Sequence, residues 1–509
     1  MLLHEMYLTA LERTPDKAAL IIDDVVVTYR QLDLAVDRFA RALHGLGLHP
    51  GDRVSLFMGN RPELAALYLA CSRLGVVAVP SKYYYKTEEL AYVTNLCGSR
   101  ILLVGAEKLP AAMGIRRIAP CLEGVYAVGG DPTGDTQPWT DALFSAPHTV
   151  AWPRVDGSHP AMVAFTSGTT SRPKGVTLTQ ESLFHAMESR RITLGHTADD
   201  GFLTSSWLCH GAAVSIVLLP MIACGGTALL MSQFSPERYL TLLRTRRPTF
   251  AAAAPMQVQR LLNCPDGIRE DFSSLKAMFS GGDATPLALQ QDFFRKTGRE
   301  LHIGLGLTEC GAAIIGPIDR PFKPGTIGLP MHGVDARLID DRGRPVTQGE
   351  VGEIILRTPS VMAGYWNDPE ATAGAIVDGW LHTGDLGRQD ADGYFIFIGR
   401  KKNIIVRDTS NISPAQVEND LNTHPKVKAC GVTGIPDAAH GQAVAAFIVP
   451  ADPADRPAED ELTVFARAKM NDLAVPGLWF FIDALPLTDM GKIDRQALAR
   501  MALALREDD

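Results

Sequence analysis

Between residues 28 and 105, strand-like and helix-like runs alternate at short, regular spacing, and this alternation constrains the fold more than any other feature of the chain. In TYRQLDLAVDRFARALHGLGL, Leu32, Val36, Phe39 and Leu43 fall on one helical face; Thr28 can cap its start, and Gly45 and Gly47 can end it. RVSLFMG then reads as a strand, PELAALYLACSRLG as a helix, VVAVP as a strand, TEELAYVTNLCG as a helix and ILLVG as a strand. Strands joined through helices run parallel by right-handed crossovers, so the fold class is α/β, with doubly wound sheet in the large N-terminal part. From about Gly325 the texture changes to short, turn-separated strands (GTIGLPMHGVDARLIDD, GEVGEIILR, GYFIFIGR), which predict a smaller β-rich subdomain. After Arg400 a compact α+β segment is expected, with a helix at SPAQVENDLNTH and a strand at VAAFIVP. The biased run 451–461, ADPADRPAEDE, reads as an exposed loop. At 509 residues the chain exceeds one ordinary core, so two or more domains are expected.

Composition excludes several classes. Apolar residues at 46% and charged residues at 21% match a globular protein. A net charge of -8, with no basic run longer than Arg400 to Lys402, gives nucleic acid no footing as a partner. The eight cysteines are scattered without a C-x-x-C pair, as expected of free thiols in a reducing compartment. The first residues carry Glu5, Glu12 and Arg13 and lack a signal-peptide layout, so a cytoplasmic location is expected. Residues 211–231 hold no charge, but Pro220, Gly225 and Gly226 interrupt them. They read as a buried helix followed by a buried strand, and no integral membrane segment is expected.

The chemistry begins where the apolar strand AMVAF (161–165) runs into TSGTTSRPKG (166–175). This is not the P-loop pattern, because Lys174 follows Pro173 and precedes Gly175 and Val176 instead of a serine or threonine. Glycine still lets backbone N–H groups converge on an anion, hydroxyls add donors, and a lysine can neutralise a polyphosphate. Thr166, Ser167, Gly168, Thr169, Thr170 and Lys174 are therefore candidate phosphate-binding residues.

Four further segments follow in order: GLGLTE (304–309), WLHTGDLG (380–387), GRKKNIIV (399–406) and PLTDMGKIDR (486–495). With the glycine-rich loop they resemble the signatures of the adenylate-forming superfamily of acyl-CoA synthetases, luciferases and peptide-synthetase adenylation domains, closest to AMP-forming acyl-CoA ligases. The resemblance implies ATP, Mg²⁺ and CoA as reactants, with CoA the thiol co-substrate. It implies that a carboxylate attacks the α-phosphate to give an acyl-adenylate, and that a thiol then displaces AMP. Lys492, Glu309, Thr166 and His210 are the implied catalytic set, with Glu309 holding the metal. Thr308, Asp385 and Arg400 are the implied nucleotide contacts, Asp385 accepting ribose hydroxyls. SGGDATPL (280–287) is similar to the adenine-side turn, which offers Gly282 and Asp283; an ordinary turn explains the same residues as well. Residues 1–399 are the implied ATP- and acyl-binding domain. Residues 400–509 are the implied mobile lid that brings in Lys492, hinged at Lys402, which reads alternatively as a solvated charge.

His210, in SSWLCHGAAVSIVLLP, either gates the acyl pocket or sits satisfied in the core. The small Gly211, Ala212, Ala213 and Val214 and the apolar run 311–317 offer no carboxylate for an amino acid's ammonium group, which favours an apolar or aromatic acid. Two departures from the family pattern stand out. Leu305 occupies the position of the adenine-stacking aromatic residue, and Asp408 and Thr409 occupy positions where many CoA-using relatives carry glycines beside the thiol channel. The latter keeps a second acceptor in play, a carrier protein's phosphopantetheine arm. A non-catalytic binding protein of the same fold is the third reading; Lys174, Glu309, Asp385, Arg400 and Lys492 together argue against it.

Overall fold

The computed structural model describes residues 1–166, 173–264, 271–282, 285–408, 410–437, 440–488 and 492–507. The anticipated alternation is present. The helix Tyr29–Gly45 starts at Thr28, whose Oγ1 accepts the Gln31 N–H at 3.2 Å, and buries Leu32, Val36, Phe39 and Leu43. Gly47 takes φ +77° just beyond its end. The helix Pro62–Leu74 begins with its proline at the first helical position and ends at Gly75, left-handed at φ +72°. It is buried on nearly every side because it lies beneath the first helix.

The strands Arg53–Phe57, Val77–Pro80 and Ile101–Gly105 belong to an eight-stranded sheet. Arg53–Phe57 pairs in parallel with both of the others, so the crossover to Val77–Pro80 runs to one side, the next returns past it to Ile101–Gly105, and the sheet is doubly wound. Pro160–Phe165 joins in parallel beside Val77–Pro80, and Gly175–Thr179 pairs antiparallel with Pro160–Phe165. A second, nine-stranded sheet contains the parallel strands Gly201–Thr204, Phe250–Ala253, Ala277–Ser280 and Leu301–Leu307. The helix Gln180–Leu194 packs between the two sheets' apolar faces.

The β-rich texture after Gly325 forms a five-stranded sheet, in which Trp380–Gln389 pairs antiparallel with Gly352–Arg357 and with Phe395–Arg400. Within residues 405–502 two further cores form around the strands Val427–Asp437, Gly441–Pro450 and Leu478–Phe481. The anticipated helix and strand appear as Pro414–Leu421 and Gly441–Pro450.

Two local expectations are corrected. The run 451–461 is not all loop: its last residues open the helix Glu459–Arg467, where Glu459, Asp460 and Glu461 complement the positive end of the helix dipole. The helix expected after His210 is not regular: Gly211–Ala213 passes into a π-turn, Val214–Leu218, before Leu219–Cys224 and the buried strand Thr227–Leu230. Among the described residues no helix is long and apolar enough to cross a membrane. All eight cysteines are free thiols.

Candidate active site

The chain leaves its strand at Thr166 and is described again from Pro173. Thr166 N–H donates to the Lys174 carbonyl at 3.0 Å, which closes the base of the turn. Ser167, Gly168, Thr169 and Thr170 lie outside the described residues, as do Asp283 and Thr409. Lys174 Nζ lies 5.0 Å over the ring of Tyr365, whose hydroxyl donates to Glu309 Oε1 at 2.9 Å. One ring thus holds the loop lysine and the motif carboxylate at the same place.

Tyr365 escaped the sequence reading. Its only signal was an aromatic GYW triplet in a turn-rich region. It reaches the site because Gly364–Tyr365 pairs antiparallel with Gly175–Thr179, Tyr365 opposite Val176, as an edge strand beyond the phosphate loop. Loss of a proton from Tyr365 is disfavoured by burial and by the Glu309 charge, so its hydroxyl stays a donor.

Thr308, Glu309 and Cys310 form the turn between the strands Leu301–Leu307 and Gly311–Ile315. That hairpin needs its glycines. A Cβ on Gly306 would stand 3.0 Å from the Gly311 carbonyl oxygen and 3.2 Å from Ala312 Cα, and Gly311 has φ +73°. The Glu309 carbonyl accepts the Met362 N–H at 2.7 Å, fixing the turn against the segment that leads to Tyr365. Leu305, half-buried, pairs across the hairpin with Ile314 and packs on the main core. Gly282, at φ +86°, has open space where a side chain would project.

Asp385 is fully buried in the strand Trp380–Gln389, directly across from Arg400. Arg400 Nε forms an ion pair with Asp385 Oδ1 at 2.9 Å, but neither carboxylate oxygen of Asp385 meets a well-aligned donor. Burial raises the Asp385 pKa above the usual carboxylate value; Arg400 and Lys492 oppose that rise, and Glu309 adds to it. Lys492, some hundred residues further on, therefore shares the electrostatic environment of Asp385 and Glu309. It closes a turn in which Thr488 N–H donates to the Lys492 carbonyl at 2.7 Å, and Leu487 bridges Ile493. Lys402 sits in the short turn Lys401–Asn403. Partial desolvation, followed by the Arg400 charge, lowers its pKa.

His210 begins the irregular helix and lies 6.5 Å from the Tyr84 ring. Desolvation first, then the charges of Lys82 and Lys492, lower its pKa from 6.5 to about 4. Lys82, only 3% exposed and near the rings of Tyr84 and Tyr85, is a second cation beside His210 that the sequence reading did not single out. Past His210, Gly211 and Ser215 face Ser182, Ala186, Thr308 and Gly311 across a narrow cleft. Asp408 is exposed at φ +53°, a conformation that favours glycine, and its Oδ1 lies 3.0 Å from His440 Nδ1. The aspartate thus keeps a glycine-like backbone while its charge is engaged by His440.

Two family models cover most of the chain: the AMP-binding enzyme model matches residues 8–366 and the AMP-binding enzyme C-terminal domain model matches 416–492. The chain belongs to the AMP-binding enzyme family. Among its relatives, a feruloyl-CoA synthase of an Amycolatopsis species is 33% identical, over 94% of this chain and 95% of that protein. The fatty acid–[acyl-carrier-protein] ligase ScoC of Streptomyces coeruleorubidus is 30% identical, over 96% and 94%. The anthranilate CoA ligase AuaEII, solved in complex with anthranoyl-AMP, superposes with a TM-score of 0.91 at 28% identity, over 99% and 98%. The present chain is an AMP-forming acid–thiol ligase that binds ATP and forms an acyl-adenylate.

With its pKa held at about 4, His210 is neutral across the working range. The kcat/KM profile for the acid should show no inflection from His210 between about pH 5 and 8, and His210→Gln should leave its shape unchanged. An inflection near pH 6.5 that disappears in His210→Gln would contradict this. Because the unfolded chain binds the extra proton between about 4 and 6.5, this histidine makes stability rise with pH through that window.

Proposed function

We propose that this ligase joins CoA to a carboxylic acid with an apolar or aromatic body, and that Asp385 anchors the ATP ribose. The observation that carries the reading is the buried Asp385 carboxylate, whose two oxygens have no hydrogen-bond donor. A vicinal diol supplies two such donors, so ribose fits the two carboxylate oxygens in chemistry and in number. Arg400 stands beside it with a planar cation suited to the ribose and α-phosphate. Thr308, in the turn beside Glu309, would meet the same nucleotide; Thr166, Lys174 and the intervening loop would take the phosphates, and Gly282 and Leu305 would face the base. The open space at Gly282 leaves room for a ring to approach the backbone.

Magnesium fits Glu309 as a single protein carboxylate, the remaining ligands being phosphate oxygens and water. When bound, it would neutralise charge on the phosphates. Tyr365 orients Glu309 through one oxygen and leaves the other free to coordinate. Lys492 holds the incoming carboxylate against the α-phosphate, offsetting two like charges as the new P–O bond forms and pyrophosphate leaves. The thiol of CoA then attacks the acyl carbon and AMP departs with the bonding pair. Lys492 and the thiol cannot share that space, so residues 400–509 act as a lid that turns about Lys402 relative to residues 1–399. Eight free thiols support the cytoplasm as its compartment.

Pyrophosphate release measured across a panel of carboxylic acids, with and without CoA, tests the reading. Sustained turnover only with CoA present is expected. A single burst of acyl-adenylate that CoA does not relieve would replace CoA with a carrier protein, and ATP binding without pyrophosphate release would replace the enzyme with a binding protein. Lys492→Ala should lower adenylate formation at least about a hundredfold and spare thioester formation from supplied acyl-adenylate. Equal loss of both halves would show that the lysine is not confined to one.

A further inference from the structure

The helix Gln180–Leu194, which walls the cleft through Ser182 and Ala186, carries a buried arginine one turn deeper on the same face. Arg190 is 2% exposed. Its guanidinium lies over a pair of stacked rings of the nine-stranded sheet, 5.4 Å from the centroid of Phe202 and 5.1 Å from that of Phe279. Among the described residues no carboxylate pairs with it and no side-chain hydrogen bond is made; Nε is buried without an acceptor.

Its surroundings offer no substitute. His196 is 4% exposed with neither ring nitrogen hydrogen-bonded, and burial followed by the Arg190 charge keeps it neutral. His302, beyond Phe279 on the same sheet face, has Nδ1 unpartnered as well. The buried acid Asp200 is already engaged by Lys276 at 2.7 Å and by Thr249 and Thr197. A buried cation with no acceptor is costly, and ring faces offset only part of that cost. Leucine or methionine would fill the same volume without that penalty, whereas guanidinium is a planar fork that matches a carboxylate with two parallel hydrogen bonds.

We propose that Arg190 determines the acid: the substrate is a dicarboxylic acid whose first carboxylate is adenylated at Lys492 and whose second pairs with the Arg190 guanidinium, one helical turn beyond the cleft wall at Ala186. This rests on the ligase reading above and refines it. The apolar wall formed by Ala186, Gly211 and Gly311 holds the middle of the molecule, and the rings of Phe202 and Phe279 flank its far end. A monocarboxylic acid of the same shape leaves the guanidinium unpaired and is discriminated against for that reason.

Matched pairs test this directly: benzoate against terephthalate, cinnamate against 4-carboxycinnamate, and hexanoate against adipate. Pyrophosphate release is read for the wild type, Arg190→Met and Arg190→Lys. In at least one pair the diacid should be favoured in kcat/KM by about tenfold to hundredfold. In Arg190→Met that preference should fall to near unity, mainly through KM, and Arg190→Lys should recover part of it. Thermal melting gives a readout independent of turnover. Arg190→Met should melt no lower than the wild type without ligand, and the favoured diacid should raise the wild-type Tm but not that of the variant. Equal or better use of the monoacid in every pair, or a KM that Arg190→Met does not move, overturns the proposal. So does a fall in Tm on Arg190→Met with no diacid-induced rise in the wild type, which would make the arginine a packing residue. If no acid releases pyrophosphate, the ligase reading fails, while a diacid-dependent rise in Tm that Arg190→Met abolishes still upholds the Arg190 site.

Discussion

The Asp385 carboxylate, buried against one guanidinium and given no hydrogen-bond donor, is the interaction on which the rest of the site depends. A folded chain tolerates such a group only where something else offsets its desolvation. Here the offset is coulombic and incomplete: Arg400 from the neighbouring strand, and Lys492 from the far end of the chain. The antiparallel pairing places Asp385 directly opposite Arg400, and the ladder shifts register just beyond, between Leu386 and Gly387. Removing the residual penalty then falls to a ligand that brings donors. The same logic applies at Arg190 with the charges reversed, and the two unsatisfied groups lie in different parts of the chain.

Between them the cleft is built from close backbone approach. Gly306 and Gly311 let the hairpin fold tightly enough for Thr308 and Glu309 to form its turn, and the π-turn after His210 carries Ser215 toward that hairpin. Tyr365 ties the hairpin to the phosphate loop, accepting a cation on its ring face and donating its hydroxyl to Glu309. Apart from the hairpin's own pairing, none of these contacts is local in sequence. Their geometry depends on the docking of the two large sheets through the helix Gln180–Leu194.

That dependence explains what the sequence could and could not reveal. Helix Tyr29–Gly45 and the strand–helix repeats after it were legible because their caps, apolar faces and terminal glycines are local signals. Glu309, Asp385 and Lys492, whose charges act on one another, each sit in a short motif. Tyr365 was not legible, since its role arises from an edge-strand pairing between residues 176 and 365. Arg190 lies in no motif, and only the sheet face beneath it shows that its head group is enclosed. The π-turn was invisible for a similar reason: the run after His210 has no breaker before Pro220, and the extra residue per turn comes from packing. The backbone of Asp408, at φ +53°, and its contact with His440 were not legible either, since that contact spans 32 residues of chain.

The most direct measurement is calorimetric binding of AMP and of 2′,3′-dideoxy-AMP to the wild type and to Asp385→Asn. If the buried carboxylate takes the ribose hydroxyls, the wild type should prefer AMP by about tenfold to a thousandfold, since two hydrogen bonds to a charged acceptor are at stake. The preference should shrink toward unity in Asp385→Asn. An equal preference in both proteins would place the ribose elsewhere and contradict the account.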